Sequence, residues 1–407
     1  MDNPQLIYLS NERFPATLAC TIQQMLMCEA FAKAGADVTL WVPHYLDTPK
    51  LSAEELYEYY GVEPNFFIQR LPSLLHLSKP LVNGKRRIKI PLIGGLSVLL
   101  STRMLANKLL RQGELNSQTI IYSRNVNSAY TFYKLNQRHT NRQPFSIFFE
   151  VHSLDEQRPT SYFHTLLRKS DGLVCISDAL KQAIIETFDV DAQKICVAHD
   201  GVRQYVLERG SLNKETARAQ LGLTAHPIVL YTGQLLPGKG ADVFVEAAKQ
   251  LPEVHFLLVG GHGHYLERMR ARLSSEQIIN VELVGFVPPH RVPLYQSAAD
   301  VLVLPATADH KISTYTSPLK LFEYMAAQRP LVASDLPVLQ EILADDDNAL
   351  LFRERDAQDL AMTIQRVLSD RSLAERMAQR AFDQVQEYTW EQRAQQILNF
   401  INETRMP

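Results

Sequence analysis

Residues 227–248 read PIVLYTGQLLPGKGADVFVEAA, and this stretch decides the fold. Its first six residues form an apolar run without alternation, which predicts a strand in a sheet covered on both faces. A glycine-containing loop follows, and a helix is predicted to begin near Ala241. A buried strand, a tight loop and a helix form the repeating unit of a doubly wound α/β domain.

Similar apolar runs recur on both sides of this stretch, and segments with helical periodicity separate them. The runs are LIYL at 6–9, VTLWV at 38–42, TIIYS at 119–123, FSIFF at 145–149, GLVCI at 172–176, KICVA at 194–198, VHFLLVG at 254–260, NVELVG at 280–285, DVLVLP at 300–305, PLVAS at 330–334 and ALLF at 349–352. This alternation predicts parallel sheets with helices on both faces. The predicted fold class is therefore α/β, with two doubly wound, Rossmann-like domains.

The boundary between the two domains is predicted from a gap in the strand series. The stretch 203–226 is polar and helical and lacks a strand, and the series restarts at Pro227. We predict a first domain over 1–205, a second over 206–385, and a helical tail over 386–407 that crosses back onto the first domain.

Composition narrows the function classes. The 407 residues are 46% hydrophobic and 21% charged, which is typical of a globular chain too long for one core. A net charge of −2 gives no general attraction for nucleic acid or an anionic membrane. The four cysteines have no C-x-x-C spacing and the N-terminus has no signal-peptide pattern, so we expect reduced thiols and a cytoplasmic location.

The loop after the 227–232 strand has the features of an anion site. Gly233, Gly238 and Gly240 allow close backbone approach, Lys239 adds a positive charge, and the following helix offers unpaired N–H groups. The string nearly matches a P-loop, but Gly240 stands where that motif needs a hydroxyl for Mg²⁺. The alternative is a glycine-capped turn with a solvated lysine.

A second glycine loop, Gly260-Gly261-His262-Gly263, follows the next strand and precedes another helix. Glycine is common in tight strand-to-helix turns, so this loop alone is weak support for a ligand site.

A third segment, Thr316 to Met325, reads TSPLKLFEYM. Its pattern predicts Ser317 as the N-cap, Pro318 at the first helical position, and amides directed at an anion. Glu323 lies where a carboxylate can accept hydrogen bonds from ribose hydroxyls. The alternative is an ion pair between Lys320 and Glu323 on a solvated face.

Taken in order, these elements resemble the group 1 glycosyltransferases, family four, whose GT-B fold has two Rossmann-like domains facing each other across a cleft. The resemblance covers most of the chain and is densest in its second half. The matching segments are LVCISDALKQAI (173–184), KICVAHDGV (194–202), YTGQLLPGKGADVFVEAA (231–248), FLLVGGHG (256–263), VELVGFVPPHRVPLYQSAADVLVLP (281–305) and SPLKLFEYMAAQRPLVASD (317–335).

The resemblance implies a role for several residues. His152, in FFEVHSLD at 148–155, would face the donor sugar; its alternative is a loop histidine with satisfied hydrogen bonds. The implied catalytic residues are His152, Lys239 and Glu323. The implied donor-binding residues are Gly233, Gln234, Lys239, Gly261, Ser317, Pro318, Leu319, Lys320 and Glu323.

Three positions depart from the family pattern. The loop 10–15 replaces a glycine pair, Gln234 stands where an arginine is usual, and Tyr315 stands where the family has the first of two glutamates. Losing a charge-assisted phosphate contact at Gln234 would cost roughly 1.5–3 kcal/mol unless Lys320 or Arg13 replaces it. We interpret Tyr315 as the mark of a subfamily.

The expected reaction is transfer, with retention, of a hexose from a UDP- or GDP-linked donor to an acceptor hydroxyl. The acceptor class is open among lipids, polysaccharides and small molecules. The alternatives are a sugar-nucleotide epimerase or hydrolase on the same fold, and a non-catalytic sugar-nucleotide-binding protein. No cofactor or metal is expected, because Asp189-Val-Asp191, the D-x-D match, lies in a polar turn.

A peripheral membrane contact is an alternative for residues 85–111, where basic residues flank IPLIGGLSVLL. We favour a loop and helix packed on the first domain, because Pro91, Gly94 and Gly95 are predicted to interrupt a continuous helix.

Overall fold

The strands alternate with helices along the whole chain. The computed structural model describes residues 3–16, 18–45, 49, 51–71, 82–83, 86–87, 91–138, 145–154, 160–223, 227–308, 314–315 and 317–405, with the backbone alone at 82–83, 86–87 and 91–99. The strands are β1 (Gln5–Leu9), β2 (Asp37–Pro43), β3 (Phe67–Leu71), β4 (Val82–Asn83), β5 (Arg86–Arg87), β6 (Thr119–Ser123), β7 (Ser146–Val151), β8 (Gly172–Cys175), β9 (Ile195–Val197), β10 (Ile228–Thr232), β11 (His255–Val259), β12 (Val281–Gly285), β13 (Val301–Leu304), β14 (Leu331–Ser334) and β15 (Leu350–Phe352).

The helices fill the connections between these strands. They are α1 (Ala19–Lys33), α2 (Ala53–Tyr60), α3 (Pro91–Gln112), α4 (Val126–Asn136), α5 (Thr160–Lys169), α6 (Asp178–Phe188), α7 (Gln204–Arg209), α8 (Lys214–Leu221), α9 (Ala241–Ala248), α10 (Gly263–Ser275), α11 (Val292–Ala298), α12 (Leu319–Ala326), α13 (Pro337–Gln340), α14 (Ala357–Ser369), α15 (Arg371–Val385) and α16 (Trp390–Arg405). Short 3₁₀ helices occur at Ala192–Lys194 and Pro289–Arg291.

The chain divides into two compact units, each built on one parallel sheet. The first unit holds the chain up to Ile176, Leu180–Ala198 and the stretch from Trp390 onward; the second holds Ser177–Ala179 and His199–Thr389. The helix α16 therefore belongs to the first unit, and the second unit ends just before it.

The first sheet has seven parallel strands in the order β3-β2-β1-β6-β7-β8-β9, and β4 and β5 form a separate antiparallel pair. The second sheet has six parallel strands in the order β12-β11-β10-β13-β14-β15. In both sheets the order reverses beside a central strand, β1 or β10, as it does in Rossmann-like folds. The predicted fold class, two doubly wound α/β domains with a C-terminal helix, is confirmed.

Burial on both sheet faces explains why the strands read as continuous apolar runs. Along β10, Val229 and Tyr231 belong to the core on one face, and Ile228 and Leu230 to the core on the other. Because successive strand residues point to opposite faces, both alternate sets must be apolar. This is the physical basis of the strand prediction from residues 227–232.

One helix was wrongly expected to be interrupted. The helix α3 runs without a break from Pro91 through Gly94 and Gly95 to Gln112. Pro91 stands at its first position, where a missing N–H group removes no intrahelical bond, and each interior glycine costs only about 1 kcal/mol. The later part of α3 packs Leu105 and Ala106 into the core of the first unit.

The membrane alternative for residues 85–111 stays a prediction. Two of its basic residues, Lys85 and Lys89, lie outside the described residues, and Arg86 and Arg87 are described by their backbone alone. Across the part of the chain that is described, no helix is long and apolar enough to cross a bilayer.

Candidate functional site

In the second unit, two of the predicted anion-binding loops follow adjacent strands, at the carboxyl ends of those strands. The loop 233–240 follows β10, and the loop 260–262 follows its neighbour β11. The Gly233 N–H group donates to the Val259 carbonyl over 2.8 Å, which joins the two loops directly. The carboxyl ends of parallel strands are where ligands bind in this type of sheet.

Glycine is required where the two loops meet. A Cβ atom at Gly260 would lie 2.1 Å from the Gly233 carbonyl oxygen, and one at Gly240 would lie 1.5 Å from the Pro305 carbonyl oxygen. Both residues also have positive φ angles, of 118° and 80°. Gly261 lies against Leu235, with a Cβ position 2.6 Å from Leu235 Cγ. Close backbone packing therefore requires glycine at 240 and 260 before any ligand is considered, whereas at 261 the neighbour is the Leu235 side chain.

Two lysines approach the Gly233 turn. Lys320, the second residue of α12, places its Nζ atom 4.3 Å from the centre of the Tyr231 ring. A Cβ atom on Gly233 would lie 2.6 Å from that Nζ atom, so glycine is what leaves room for the amine. Lys239 is half-buried in the loop before α9.

The positive charges of Lys239 and Lys320 are only partly stabilised by their surroundings. Burial, and then the charge of Lys239, lower the pKa of the Lys320 ammonium group to about 7. Burial also lowers the pKa of Lys239, and no carboxylate among the described residues is a cause that opposes this change. Among the described side chains, no ion pair joins Lys320 to Glu323, so the solvated ion pair that the sequence left open is not formed. An anion with two or more charges would stabilise both lysines.

Two tyrosines that the sequence analysis missed support this region. The Tyr231 hydroxyl donates to the Gln234 carbonyl over 2.7 Å. The Tyr324 hydroxyl accepts from the Thr232 N–H group over 2.7 Å and lies 3.0 Å from the Thr232 hydroxyl. Both tyrosines are fully buried, so their hydroxyl groups hold the end of β10 against the loop and against α12.

Glu323 faces solvent from α12, near a neutral partner. Its Oε2 atom lies 3.4 Å from Gln296 Nε2, which is a long hydrogen bond. The protein around the carboxyl group raises its pKa by desolvation, while Gln296 and Lys320 lower it. The carboxylate keeps an accessible edge that is suited to accepting hydroxyl hydrogen bonds.

The helix start differs from the prediction. The N-cap residue is Pro318, the helix begins at Leu319, and no side chain caps it. The predicted N-cap, Ser317, is buried, and its hydroxyl oxygen accepts from the Asp200 N–H group over 3.3 Å. Proline φ is compatible with the extended N-cap conformation, and it leaves the first helical N–H groups without a side-chain acceptor.

Two positions in this unit, Gln234 and Tyr315, depart from the family pattern, and the structure shows what each of them contacts. The Gln234 side chain is exposed, while its carbonyl accepts from Tyr231. Tyr315 is half-buried, and its carbonyl accepts from the Ser177 hydroxyl over 2.9 Å. Lys320 brings a positive charge to the Gly233 turn although position 234 carries none.

In the first unit, His152 directly follows β7 and contacts a buried carboxylate. Its Nε2 atom lies 2.6 Å from Glu150 Oε1, and 17% of the His152 side chain is exposed. Burial, and then the charge of Arg124, lower the pKa of His152 to about 4, although Glu150 opposes them. The imidazole is therefore neutral near pH 7, with one ring nitrogen bonded and the other not engaged by Glu150.

Family models cover most of the chain. The model described as Glycosyl transferases group 1 matches residues 213–384, and the model described as Glycosyltransferase Family 4 matches residues 25–204. The chain belongs to the group 1 glycosyltransferases.

Curated relatives agree with the family assignment. A D-inositol 3-phosphate glycosyltransferase of Nocardioides sp. is 27% identical over 260 residues, covering 59% of this chain and 55% of the relative. The chain spans about half the length of the curated relatives it matches.

Solved structures share the GT-B fold of this chain. Sucrose-phosphate synthase from Thermosynechococcus elongatus aligns with a TM-score of 0.76 at 22% identity, covering 98% of this chain and 99% of that one. Anabaena Alr3699/HepE, solved in complex with UDP-glucose, aligns with a TM-score of 0.71 at 16% identity, covering 98% and 99%.

Two groups of side chains in the second half of the first unit and in the second unit have the residue types of metal ligands, and the structure shows what some of them contact. In the D-x-D match, Asp191 caps a 3₁₀ helix by accepting from the Gln193 N–H group over 2.9 Å. Within the described residues, Asp178, His199 and Glu341 place potential ligand atoms within 4.8 Å of one another. The Glu341 carboxylate, however, already accepts from the Asp178 and Ala179 N–H groups over 2.9 and 2.7 Å.

We predict that Gly260→Ala destabilises the second unit much more than Gly263→Ala. Both glycines have positive φ angles, but a Cβ atom at Gly263 meets nothing within 4 Å, while one at Gly260 meets the Gly233 carbonyl. Gly263→Ala should cost about 1–2 kcal/mol of unfolding free energy from backbone strain alone. Urea unfolding followed by circular dichroism measures both variants. Equal losses would show that the Gly233–Gly260 approach is not a constraint.

Proposed function

We propose that this chain is a retaining glycosyltransferase that moves a hexose from a UDP- or GDP-linked sugar to an acceptor hydroxyl. The observation that carries the proposal is the pair of lysines, Lys239 and Lys320, whose ammonium groups are both disfavoured by burial beside the Gly233 turn. A diphosphate supplies the negative charge that this arrangement needs. The family of the chain makes a nucleotide-sugar the natural source of that diphosphate.

The donor binds through three kinds of group in this proposal. Lys239 and Lys320 contact the diphosphate, and the uncapped start of α12 adds N–H groups and a positive helix end. Glu323 accepts hydrogen bonds from the ribose hydroxyls. Gly233 and Gly261 allow the backbone to approach the phosphates. In the first unit, His152 contacts the transferred sugar.

The proposed reaction breaks the bond between the anomeric carbon and the diphosphate oxygen, and the electron pair leaves with the diphosphate. The lysines and the start of α12 stabilise that developing charge. The acceptor oxygen then forms its bond on the face that the diphosphate leaves, and its proton passes to the departing phosphate oxygen. This scheme uses no protein nucleophile and requires no metal ion or cofactor.

We predict that one nucleotide among UDP, GDP and ADP raises the thermal stability of the wild-type protein. A ligand at about a hundred times its Kd stabilises the native state by roughly 2.7 kcal/mol. The shift should be lost in Lys239→Ala, which removes a diphosphate contact, and in Glu323→Ala, which removes the ribose acceptor. Differential scanning fluorimetry measures all three. UDP is the first to test, because a GT-B neighbour was solved with UDP-glucose.

Two exposed residues of the same unit serve as matched controls. Lys249 and Glu267 lie in surface ion pairs away from the glycine loops, so Lys249→Ala and Glu267→Ala should keep the full nucleotide shift. If the shift survives in Lys239→Ala and Glu323→Ala, the nucleotide binds elsewhere. If no nucleotide produces a shift, the donor assignment is wrong.

We predict that donor affinity falls as the pH rises above 7. In the free protein the Lys320 pKa is about 7, and a bound diphosphate raises it, so the complex holds a proton that the free protein loses. Affinity should be highest below pH 7 and decrease by up to about tenfold per pH unit above it. Isothermal titration calorimetry between pH 6 and 8.5 measures this, with proton uptake on binding.

The choice of ligand and of variants separates the contribution of Lys320 to the pH dependence from those of other titrating groups. A nucleotide-sugar is used because the terminal phosphate of a free nucleotide takes up a proton near pH ~6 itself. Lys320→Arg stays charged throughout and Lys320→Met is never charged, so both should abolish the slope attributable to this group. Glu323 and Lys239 also face Lys320, so Glu323→Gln and Lys239→Met identify any slope that they contribute. An unchanged slope in both Lys320 variants would contradict the assignment.

We predict that the product keeps the anomeric configuration of the donor. The acceptor is found by screening lipid, polysaccharide and small-molecule hydroxyl compounds with the nucleotide-sugar that binds. The coupling constant of the anomeric proton then gives the configuration by NMR. An inverted product rules out the proposed mechanism. Free sugar or an altered donor without acceptor would instead identify a hydrolase or an epimerase, and binding without turnover a non-catalytic protein.

A further inference from the structure

A buried carboxylate lies directly behind His152. Glu150, in β7, is completely buried, and its Oε1 atom is 2.6 Å from His152 Nε2. The same oxygen accepts from Gln23 Nε2 over 2.9 Å and from Arg393 Nη2 over 3.0 Å. The other oxygen, Oε2, accepts from the Tyr8 hydroxyl over 3.4 Å. The carboxylate is therefore held by donors from four separate parts of the first unit.

Arg393 comes from α16, at the far end of the chain. It is 3% exposed, and its Nε atom donates to the Ala198 carbonyl over 3.1 Å while its Nη2 atom donates to Glu150. Its guanidinium also lies 5.9 Å from the Trp390 ring centre. These contacts fix the guanidinium in one orientation, so that α16 supplies the counter-charge for a carboxylate in β7.

The positive charge of Arg393 favours the ionised form of the Glu150 carboxyl group. Burial opposes the charged carboxylate, but Arg393, His152 and Arg124 hold the pKa of Glu150 well below its usual range. An ionised carboxylate only accepts hydrogen bonds. The ring proton of neutral His152 must then lie on Nε2, facing Glu150, and Nδ1 carries a lone pair. The His152 side chain is 17% exposed, so part of it reaches the surface.

We propose that Glu150 and Arg393 are positioning residues that hold His152 as its Nε2–H tautomer, so that Nδ1 accepts a hydrogen bond from a hydroxyl group of the transferred sugar. The inference rests on the proposed function for its sugar, but the tautomer itself does not. Without Glu150, either ring nitrogen can carry the proton and the ring can rotate. Without Arg393, the carboxylate loses the charge that keeps it ionised.

The tautomer is tested in the wild-type protein, without any substrate. Protein labelled with ¹⁵N in its histidines gives long-range ¹H–¹⁵N spectra that separate protonated from unprotonated ring nitrogens. The His152 signals are identified by their loss in His152→Asn. At pH 7 we expect a proton on Nε2 and none on Nδ1. A proton on Nδ1, or on both nitrogens, would overturn the proposal.

Variants then test the origin of the tautomer. Glu150→Gln can present either an oxygen or an N–H group to the ring, so we expect both tautomers to be populated. Because this variant leaves Arg393 without its carboxylate, the pair Glu150→Gln with Arg393→Gln removes both charges and protects against a folding failure. A wild-type tautomer in the folded double variant would show that Glu150 does not fix it.

A double-mutant cycle separates positioning from a general structural effect. Glu150→Gln should lower kcat for transfer by roughly 10- to 100-fold, the range found when the hydrogen-bond partner of a metal-bound histidine is removed, with a smaller change in KM. In the His152→Asn background the same change should have less than about a twofold further effect. Additive losses would overturn the proposal, since they would show that Glu150 acts independently of His152.

The matched control is Glu29→Gln, which also changes a buried carboxylate of the first unit. Glu29 accepts from the Glu63 N–H group over 2.9 Å and pairs with Lys33, away from His152. It should leave the His152 tautomer and kcat unchanged. If no donor and acceptor give turnover, the proposed function fails, and the NMR measurements still decide whether Glu150 holds the tautomer.

Discussion

The edge of the second sheet depends on the close approach of two glycines. The Gly233 carbonyl occupies the space that a side chain at Gly260 would need, and the Lys320 amine occupies the space that a side chain at Gly233 would need. Three segments far apart in the sequence thus fit together because two positions lack Cβ atoms. Once they fit, the amine of Lys320 is held over Tyr231 in a place that disfavours its charge. The proposed phosphate site therefore follows from backbone packing.

Much of the fold could be predicted from the sequence, and the physical reasons can be named. The strands were predictable because burial on both faces forces continuous apolar runs, as in residues 227–232. The glycine loop with Lys239 was predictable as a tight strand-to-helix connection, but the sequence could not show that backbone packing requires glycine at 240 and 260. The roles of Tyr231 and Tyr324 were hidden, since inside apolar runs they look like ordinary core residues. Only the structure gives their hydroxyl groups partners.

The errors arose where local rules compete with tertiary contacts. Ser317 is a good N-cap by residue type, but its hydroxyl is used by the Asp200 N–H group and Pro318 takes the cap position. Pro91 and the glycines of α3 read as helix breakers, yet the proline stands where it does no harm and the helix continues. In both cases the residue preference was real, but its cost was smaller than the gain from packing or from a different hydrogen bond.

The two units differ in how far their buried charges are stabilised by neighbouring groups. We relate this difference to the proposed roles of the charged residues, which are positioning in the first unit and ligand binding in the second. In the first unit, Glu150 is satisfied by Arg393, Gln23 and His152, and its charge is stabilised within the protein itself. In the second unit, burial and then the charge of Lys239 lower the pKa of Lys320 although Glu323 opposes them, and burial lowers the pKa of Lys239. Desolvating a charge without compensation is unfavourable, so it persists only where something else supplies the missing interaction. A compensated buried charge can fix the orientation of a neighbour such as His152, whereas a pair of lysines whose charges are only partly compensated, at the carboxyl ends of the strands, is where a polyanionic ligand gains the most.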